Sequence, residues 1–181
     1  MRIVGGSLGG RVLRAPTGAA TRPTSEKVRE AMFGILGSVE GLVVLDLFAG
    51  SGAVAIEALS RGAVHAVLCE TAKPAIAVIR GNLDMLALGD RATLVTADAL
   101  RVAAGVPPSG PWGLVFIDPP YASDLAVRAA QAIPRAHLAA GARVVIEHDR
   151  RHAPPDALGS LLRTDHRRYG DTLLSFYEAQ P

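Results

Sequence analysis

The segment Leu114-Val115-Phe116-Ile117-Asp118-Pro119-Pro120-Tyr121 constrains this chain more than any other. Four consecutive apolar residues fit a parallel strand buried on both faces. Pro119 and Pro120 have no N–H and cannot extend a ladder, so the strand stops there. An aspartate, a rigid turn and an aromatic ring are thereby presented together at a strand's C-terminal end. In open α/β sheets that edge is where ligands bind. The set Asp118, Pro119, Pro120 and Tyr121 suits methylation of an exocyclic amine, whose lone pair is delocalised into its ring. Asp118 and the Pro119 carbonyl would each accept one amino hydrogen and aim the lone pair at a methyl donor, with Tyr121 stacked on the base. A plain strand-ending turn is the competing reading, so the surroundings must decide.

A second landmark precedes it. Leu42 to Leu47 reads as a buried strand, Phe48-Ala49-Gly50-Ser51-Gly52 as a tight loop, and Ala53 to Ser60 as the start of a helix. Strand, glycine loop and helix form a nucleotide cradle, because glycine lets the backbone approach a ligand closely. The next strand, Val64 to Cys69, delivers Glu70, 18 positions after Gly52, where an acid can grip ribose hydroxyls. Asp98 follows a third strand, Ala92 to Thr96. It can accept from an adenine amino group or cap the helix Ala99 to Ala103. Gly50-x-Gly52-x-x-Ala55 also fits a looser dinucleotide fingerprint, so an NAD-linked oxidoreductase is a competing function. That reading leaves the Asp118 tetrad without a role.

Pro74 to Leu86 and Ser123 to Ile133 read as helices, and Ala142 to Glu147 as a fifth strand. In the first, Ile76, Ile79 and Leu83 share the inward face, with Asn82 and Asp84 elsewhere. Gly170-Asp171 between Leu161 to Tyr169 and Thr172 to Glu178 signals a terminal hairpin. Five β-α units and a hairpin give a seven-stranded, mostly parallel, doubly wound α/β sheet with an antiparallel edge.

The chain's 181 residues suit one domain with an appendage, and 49% hydrophobic content is ample for a core. No apolar run is long enough to span a bilayer, the N-terminus has no hydrophobic leader, and the lone Cys69 suits a reducing cytoplasm. Charge is uneven. Residues 1–30 hold six cations against Glu26 and Glu30, a net of +4 in a chain of net +2. Arg2-Ile3-Val4-Gly5-Gly6 and Gly9-Gly10-Arg11-Val12-Leu13 read as two short strands around a turn, and Arg2, Arg11, Arg14, Arg22 and Arg29 as contacts to a polyanion. Thr24 is the expected cap of a helix whose inward face is Val28, Ala31, Met32, Ile35 and Leu36. The five histidines show no metal spacing and no metal is expected. His148 alone falls near the proposed crevice.

Several further stretches carry a resemblance. Asp46-Leu47-Phe48-Ala49-Gly50-Ser51-Gly52, Glu57 to Ala63, Arg2 to Gly6, Arg22-Pro23-Thr24, Val28-Arg29-Glu30, Asp118 to Tyr121 and Tyr169-Gly170-Asp171-Thr172 together resemble the RsmD-type family of 16S ribosomal RNA guanine-N2 methyltransferases. The resemblance spans nearly the whole chain. It implies a Rossmann-like class I fold dependent on S-adenosylmethionine, with an N-terminal β-hairpin extension (residues 1–23) on a methyltransferase domain (residues 24–181). It implies a donor site of Asp46, Phe48, Ala49, Gly50, Ser51, Gly52, Glu70 and Asp98. Phe48 to Gly52 would hold the methionine part, Glu70 the ribose and Asp98 the adenine. Asp118 to Tyr121 would hold a guanine of 16S RNA in an assembling 30S particle, with the protein a cytoplasmic monomer. DNA adenine, a protein glutamine, or RNA binding without catalysis are the competing substrates and roles.

Overall fold

The computed structural model describes residues 1–16, 25–120 and 124–181. Arg22, Pro23, Thr24 and Tyr121 lie outside the described residues.

The architecture follows from strands that are apolar on both faces. β1 (Val43–Leu47), β2 (His65–Cys69), β3 (Ala92–Val95), β4 (Trp112–Ile117) and β5 (Leu138–His148) pair in parallel. All of β1 and all of β4 are buried, with Asp46 the one charged residue between them. β7 (Leu161–Tyr169) and β8 (Thr172–Ala179) form the terminal hairpin. β8 pairs antiparallel with β5, and the two-residue β6 (Ala157–Leu158) extends β7. The order is β3-β2-β1-β4-β5-β8-β7-β6, eight strands rather than seven, because β6 has no sequence signal at two residues. The order reverses between β1 and β4, which makes that junction the switch point of the sheet.

Helices cover both faces. α1 (Glu26–Leu36), α2 (Ala53–Ser60) and α3 (Lys73–Met85) pack on one core with Leu114, Phe116, Val145, Leu174 and Phe176. α4 (Ala99–Ala104) and α5 (Leu125–Ala132) pack on the other with Val115, Ile117, Val144 and Ile146. Ser25, rather than Thr24, caps α1: its side chain accepts from the Val28 amide at 3.3 Å. The buried face of α1 is also turned from the expected one. Val28, Arg29, Met32, Phe33 and Leu36 are buried, whereas Ile35 is exposed.

The two N-terminal stretches expected as strands run antiparallel around a turn, with Arg2 bridging Val12. The Ile3 amide bonds the Arg11 carbonyl at 2.9 Å and the Leu13 amide the Met1 carbonyl at 2.8 Å. Contacts with α2 fix their place. The Glu57 carboxylate is fully buried and accepts from the Val4 and Gly5 amides, both at 2.8 Å, and from Arg61 Nε at 2.8 Å. Ser60 Oγ donates to the Gly5 carbonyl at 2.6 Å and accepts from the Leu8 amide at 2.9 Å. Gly6 has φ +80, and a Cβ there would lie 1.9 Å from the Ser60 carbonyl oxygen, so the contact demands glycine. Ile3 and Leu13 are buried in the same core as α2.

Replacing Glu57 by Ala leaves two part-buried amides and Arg61 without their acceptor. Each such loss costs about 1–3 kcal/mol. Urea denaturation of Glu57→Ala should show a loss of roughly 2–5 kcal/mol. A loss below about 0.5 kcal/mol would mean the segment is not part of the cooperative fold.

Candidate active site at the carboxyl edge of the sheet

Register decides what meets at the edge. Leu47 pairs with Cys69 on one side and Ile117 on the other, and Cys69 pairs with Val95. Phe48, Glu70 and Asp118 therefore leave their strands at one level, next to each other. The Glu70 amide bonds the Val95 carbonyl at 3.1 Å, which holds the approach to Asp98 alongside.

The loop after β1 is tightly determined. Phe48 has φ +68, a left-handed value that costs a non-glycine residue free energy and persists only where its surroundings enforce it. The Ala49 amide bonds the Cys69 carbonyl at 2.9 Å, and the Gly52 amide bonds the Ala49 carbonyl at 2.7 Å. Gly52 has φ +77, and a Cβ there would come within 2.9 Å of Leu68. Buried Asn82 donates to the Ser51 carbonyl at 3.0 Å, and its Oδ1 accepts from the Arg14 amide at 2.9 Å. One side chain thus ties the glycine loop to the N-terminal segment.

Carboxylates surround this loop. Glu70 Oε2 accepts from the Gly50 amide at 2.8 Å, and Oε1 from the Thr71 and Ala72 amides at 2.7 and 2.8 Å. Asp46, buried beneath the loop, accepts from the Ala55 amide in the first turn of α2 at 3.2 Å. Burial pushes the Asp46 carboxyl up to about 7, the Ala55 amide pulling it down and Glu70 pushing it further up. The exposed Asp98 caps α4, accepting from the Leu100 and Arg101 amides at 3.0 and 3.2 Å. The Cys69 thiol is pushed up to about 11 by burial, then by Glu70, Asp46 and Asp98. It is a core residue, not a nucleophile. Half-buried Asp118 is held well above the usual carboxylate range by burial first, then by Glu147 and Asp46. Among the described residues no group of His, Cys, Asp and Glu has the arrangement of a metal site.

The structure brings Asp46, Phe48 to Gly52, Glu70, Asp98 and Asp118 to one edge, with Pro119 and Pro120 following Asp118. It does not bring Arg29 to a phosphate. Arg29 is fully buried, and its Nη2 donates to the Arg2 carbonyl. Burial lowers its pKa, against the nearby Glu57 and Glu26. The reason is helical phase: Arg29 shares a stripe with Met32, Phe33 and Leu36. Arg2, Arg11 and Arg14 are exposed. His148 lies off the crevice, donating to or accepting from Ser175 Oγ at 2.9 Å and stacked on His166. Glu147 and Asn82 carry no motif, yet both had a signal. Glu147 ends the apolar run Val144-Val145-Ile146, and Asn82 continues the stripe of Ala75 and Ile79.

The raised Asp46 pKa has a definite sign. The folded state holds this proton more tightly than the unfolded chain, so Asp46 lowers stability as pH rises from about 4 to about 7. The difference in stability between pH 5 and pH 8 should therefore be smaller in Asp46→Asn, by at most about 3 kcal/mol. Urea titrations at both pH values measure it, and parallel profiles would show that Asp46 titrates normally.

Comparison with known proteins agrees with this layout. The family model described as "Conserved hypothetical protein 95" matches residues 1–178. A Bacillus subtilis (strain 168) protein named "Putative rRNA methyltransferase YlbH" is 38% identical over 182 residues, 98% of each chain. "Ribosomal RNA small subunit methyltransferase D" of Escherichia coli (strain K12) is 39% identical over 122 residues, which is 67% of this chain and 60% of that one. The solved structure "Putative methyltransferase yhhF from Escherichia coli" superposes with a TM-score of 0.86 at 29% identity, covering 99% of this chain and 98% of that one. With an α/β sheet of class I methyltransferase type and a family match along almost its whole length, the chain belongs to the RsmD-type methyltransferase family.

Proposed function

We propose that this chain transfers a methyl group from S-adenosylmethionine to the exocyclic N2 of a guanine in 16S ribosomal RNA during small-subunit assembly. The observation that carries the reading is the meeting of the glycine loop and Asp118 at one switch point. Naming of relatives as ribosomal RNA methyltransferases supports the RNA substrate.

The residues at the edge fit this donor better than a dinucleotide. A pyrophosphate would need free amides at the loop and the start of α2. Here Glu70 takes the Gly50 amide and Asp46 the Ala55 amide. Carboxylates instead suit a cationic sulfonium and ribose hydroxyls. Glu70 would hold the ribose, since a carboxylate has about four acceptor positions and the three amides leave one available. Asp98 would approach the adenine through the oxygen not used in capping. Phe48 to Gly52, with Asp46 beneath, would shape the methionine end. When bound, S-adenosylmethionine supplies an electrophilic methyl group.

The target base leaves its stack to reach the edge. Asp118 and the Pro119 carbonyl each accept one hydrogen of N2, which draws the lone pair out of the ring and aims it at the methyl group. Pro120 rigidifies the turn and Tyr121 packs on the base. Asp118, with its raised pKa, is a better proton acceptor than an ordinary carboxylate. Residues 1–23 act as the RNA-contacting extension and residues 24–181 as the transfer domain, working as a monomer on a 30S particle in the cytoplasm. Arg2, Arg11 and Arg14, exposed on a segment bonded to the glycine loop through Asn82, and Arg22, would meet phosphates beside the target.

Asp118→Ala should reduce tritium transfer from labelled donor to undermethylated 30S particles by at least about 100-fold. Calorimetric binding of S-adenosylhomocysteine should stay within a few-fold, and near-normal turnover would remove Asp118 from the mechanism. Mass spectrometry of 16S RNA from cells lacking the protein reports the base and atom modified. Because Ile3 and Leu13 are in the core, the arm is tested by charge and not by deletion. Arg11→Glu with Arg14→Glu should weaken particle binding and lower the slope of log K against log salt by about 2. An unchanged slope would exclude these cations as phosphate contacts.

A further inference from the structure

We propose that Glu147 reads the ring N1–H beside the target amine and thereby restricts the pocket to guanine; this rests on the methyl-transfer reading above. β4 and β5 pair in parallel with Ile117 opposite Ile146, so the next residue of each, Asp118 and Glu147, emerge side by side. Phe116 and Val145 belong to the core under α1 to α3, and Ile117 and Ile146 to the opposite core. Alternation returns Glu147 to the α1–α3 face, and its cross-strand partner Leu174 lies in that same core. Asp46, next to Phe116 in register, faces the same way. His148, one residue on, turns to the other face and bonds Ser175. Asp118 feels the charge of both Glu147 and Asp46, and next across the sheet from Leu174 is Arg167, held by Asp165 at 2.9 Å.

The chemistry of the bases makes a second carboxylate informative. In guanine the exocyclic amine stands next to a ring N1–H, a donor. In adenine and cytosine the ring nitrogen next to the amine is an acceptor, and in a glutamine side chain the neighbour is a carbonyl oxygen. An ionised carboxylate only accepts. Beside Asp118, it therefore pairs with guanine and meets a lone pair in each competitor. Neighbouring strands are about 4.8 Å apart, a spacing from which two carboxylate side chains converge on adjacent edge atoms of one base. A site built to bond a substrate hydrogen rejects the analogue lacking it strongly, because a carboxylate oxygen then faces a ring lone pair of the same polarity. Asp118 orients the amine, which every candidate base shares; Glu147 distinguishes among them.

The test uses 30S particles reconstituted on ligated 16S RNA carrying guanine or 2-aminopurine at the mapped position. 2-Aminopurine keeps the amine at C2 but has a lone pair at N1. The wild-type enzyme should prefer guanine in kcat/KM. Glu147→Gln, whose amide can donate to that lone pair, should lower the guanine to 2-aminopurine ratio at least tenfold, with S-adenosylhomocysteine binding retained as the check on folding. A purely structural role would reduce both rates together, and an unchanged ratio overturns the assignment. Glu147→Asp is the second variant, should the amide fail to fold: withdrawing the carboxylate by one methylene should also lower the ratio, and no change overturns the assignment. A wild-type protein that methylates no guanine would instead defeat the functional reading itself.

Discussion

The parallel pairing of β1 with β4 is the constraint on which the rest depends. Leu47 opposite Ile117 puts the end of the glycine-bearing strand level with the end of the aspartate-bearing one. A slip of a single residue would turn every side chain of a strand to the other core. Since both strands are buried on both faces, a slip of β1 would carry polar Asp46 into the wrong layer, and a slip of β4 would turn Asp118 away from the crevice. The sheet order then places β2 and β3 outward from β1, which delivers Glu70 and Asp98 on one flank, while β5 delivers Glu147 on the other.

The N-terminal segment is best understood as part of the site's scaffold. A basic, glycine-rich stretch would ordinarily be a solvated tail, but here the buried polar side chains of Glu57, Ser60, Arg29 and Asn82 hold it. Glu57 takes two of its amides, Arg29 its second carbonyl, and Asn82 binds both Arg14 and the glycine loop. Burying such groups is unfavourable unless their bonds are made, and breaking one partner leaves the other exposed to the full desolvation penalty. Exposed arginines are thus carried on a rigid support that reaches the loop through one asparagine. An RNA contact at the arm would be geometrically registered with the edge of the sheet.

Much of this layout could be read from residues alone, for specific reasons. Val43 to Leu45 and Leu114 to Ile117 are continuous apolar runs, the pattern of a parallel strand, and an acid follows each of three strands. Gly170-Asp171 marks a hairpin, and β8 lies antiparallel against β7 as that signal requires. What was hidden depends on tertiary context. Arg29 and Asn82 look like surface residues because local pattern assigns polar groups to water, yet distant backbone satisfies both. The first half of β5, Leu138-Ala139-Ala140-Gly141-Ala142, has weak strand propensity; only Leu138 pairs with β4 there, and the regular register resumes at Arg143. β6 is too short for any periodicity. Glu147 was open to the same strand-then-acid logic as Glu70 and Asp98, but it was not preceded by a recognised motif.

The most direct measurement is a crystal structure of the protein with S-adenosylhomocysteine. The account predicts the homocysteine end on Phe48 to Gly52, the ribose on Glu70, and the sulfur facing Asp118 across a gap sized for one methyl group. A ligand whose sulfur points away from Asp118, or one bound at any other edge of the sheet, would contradict it.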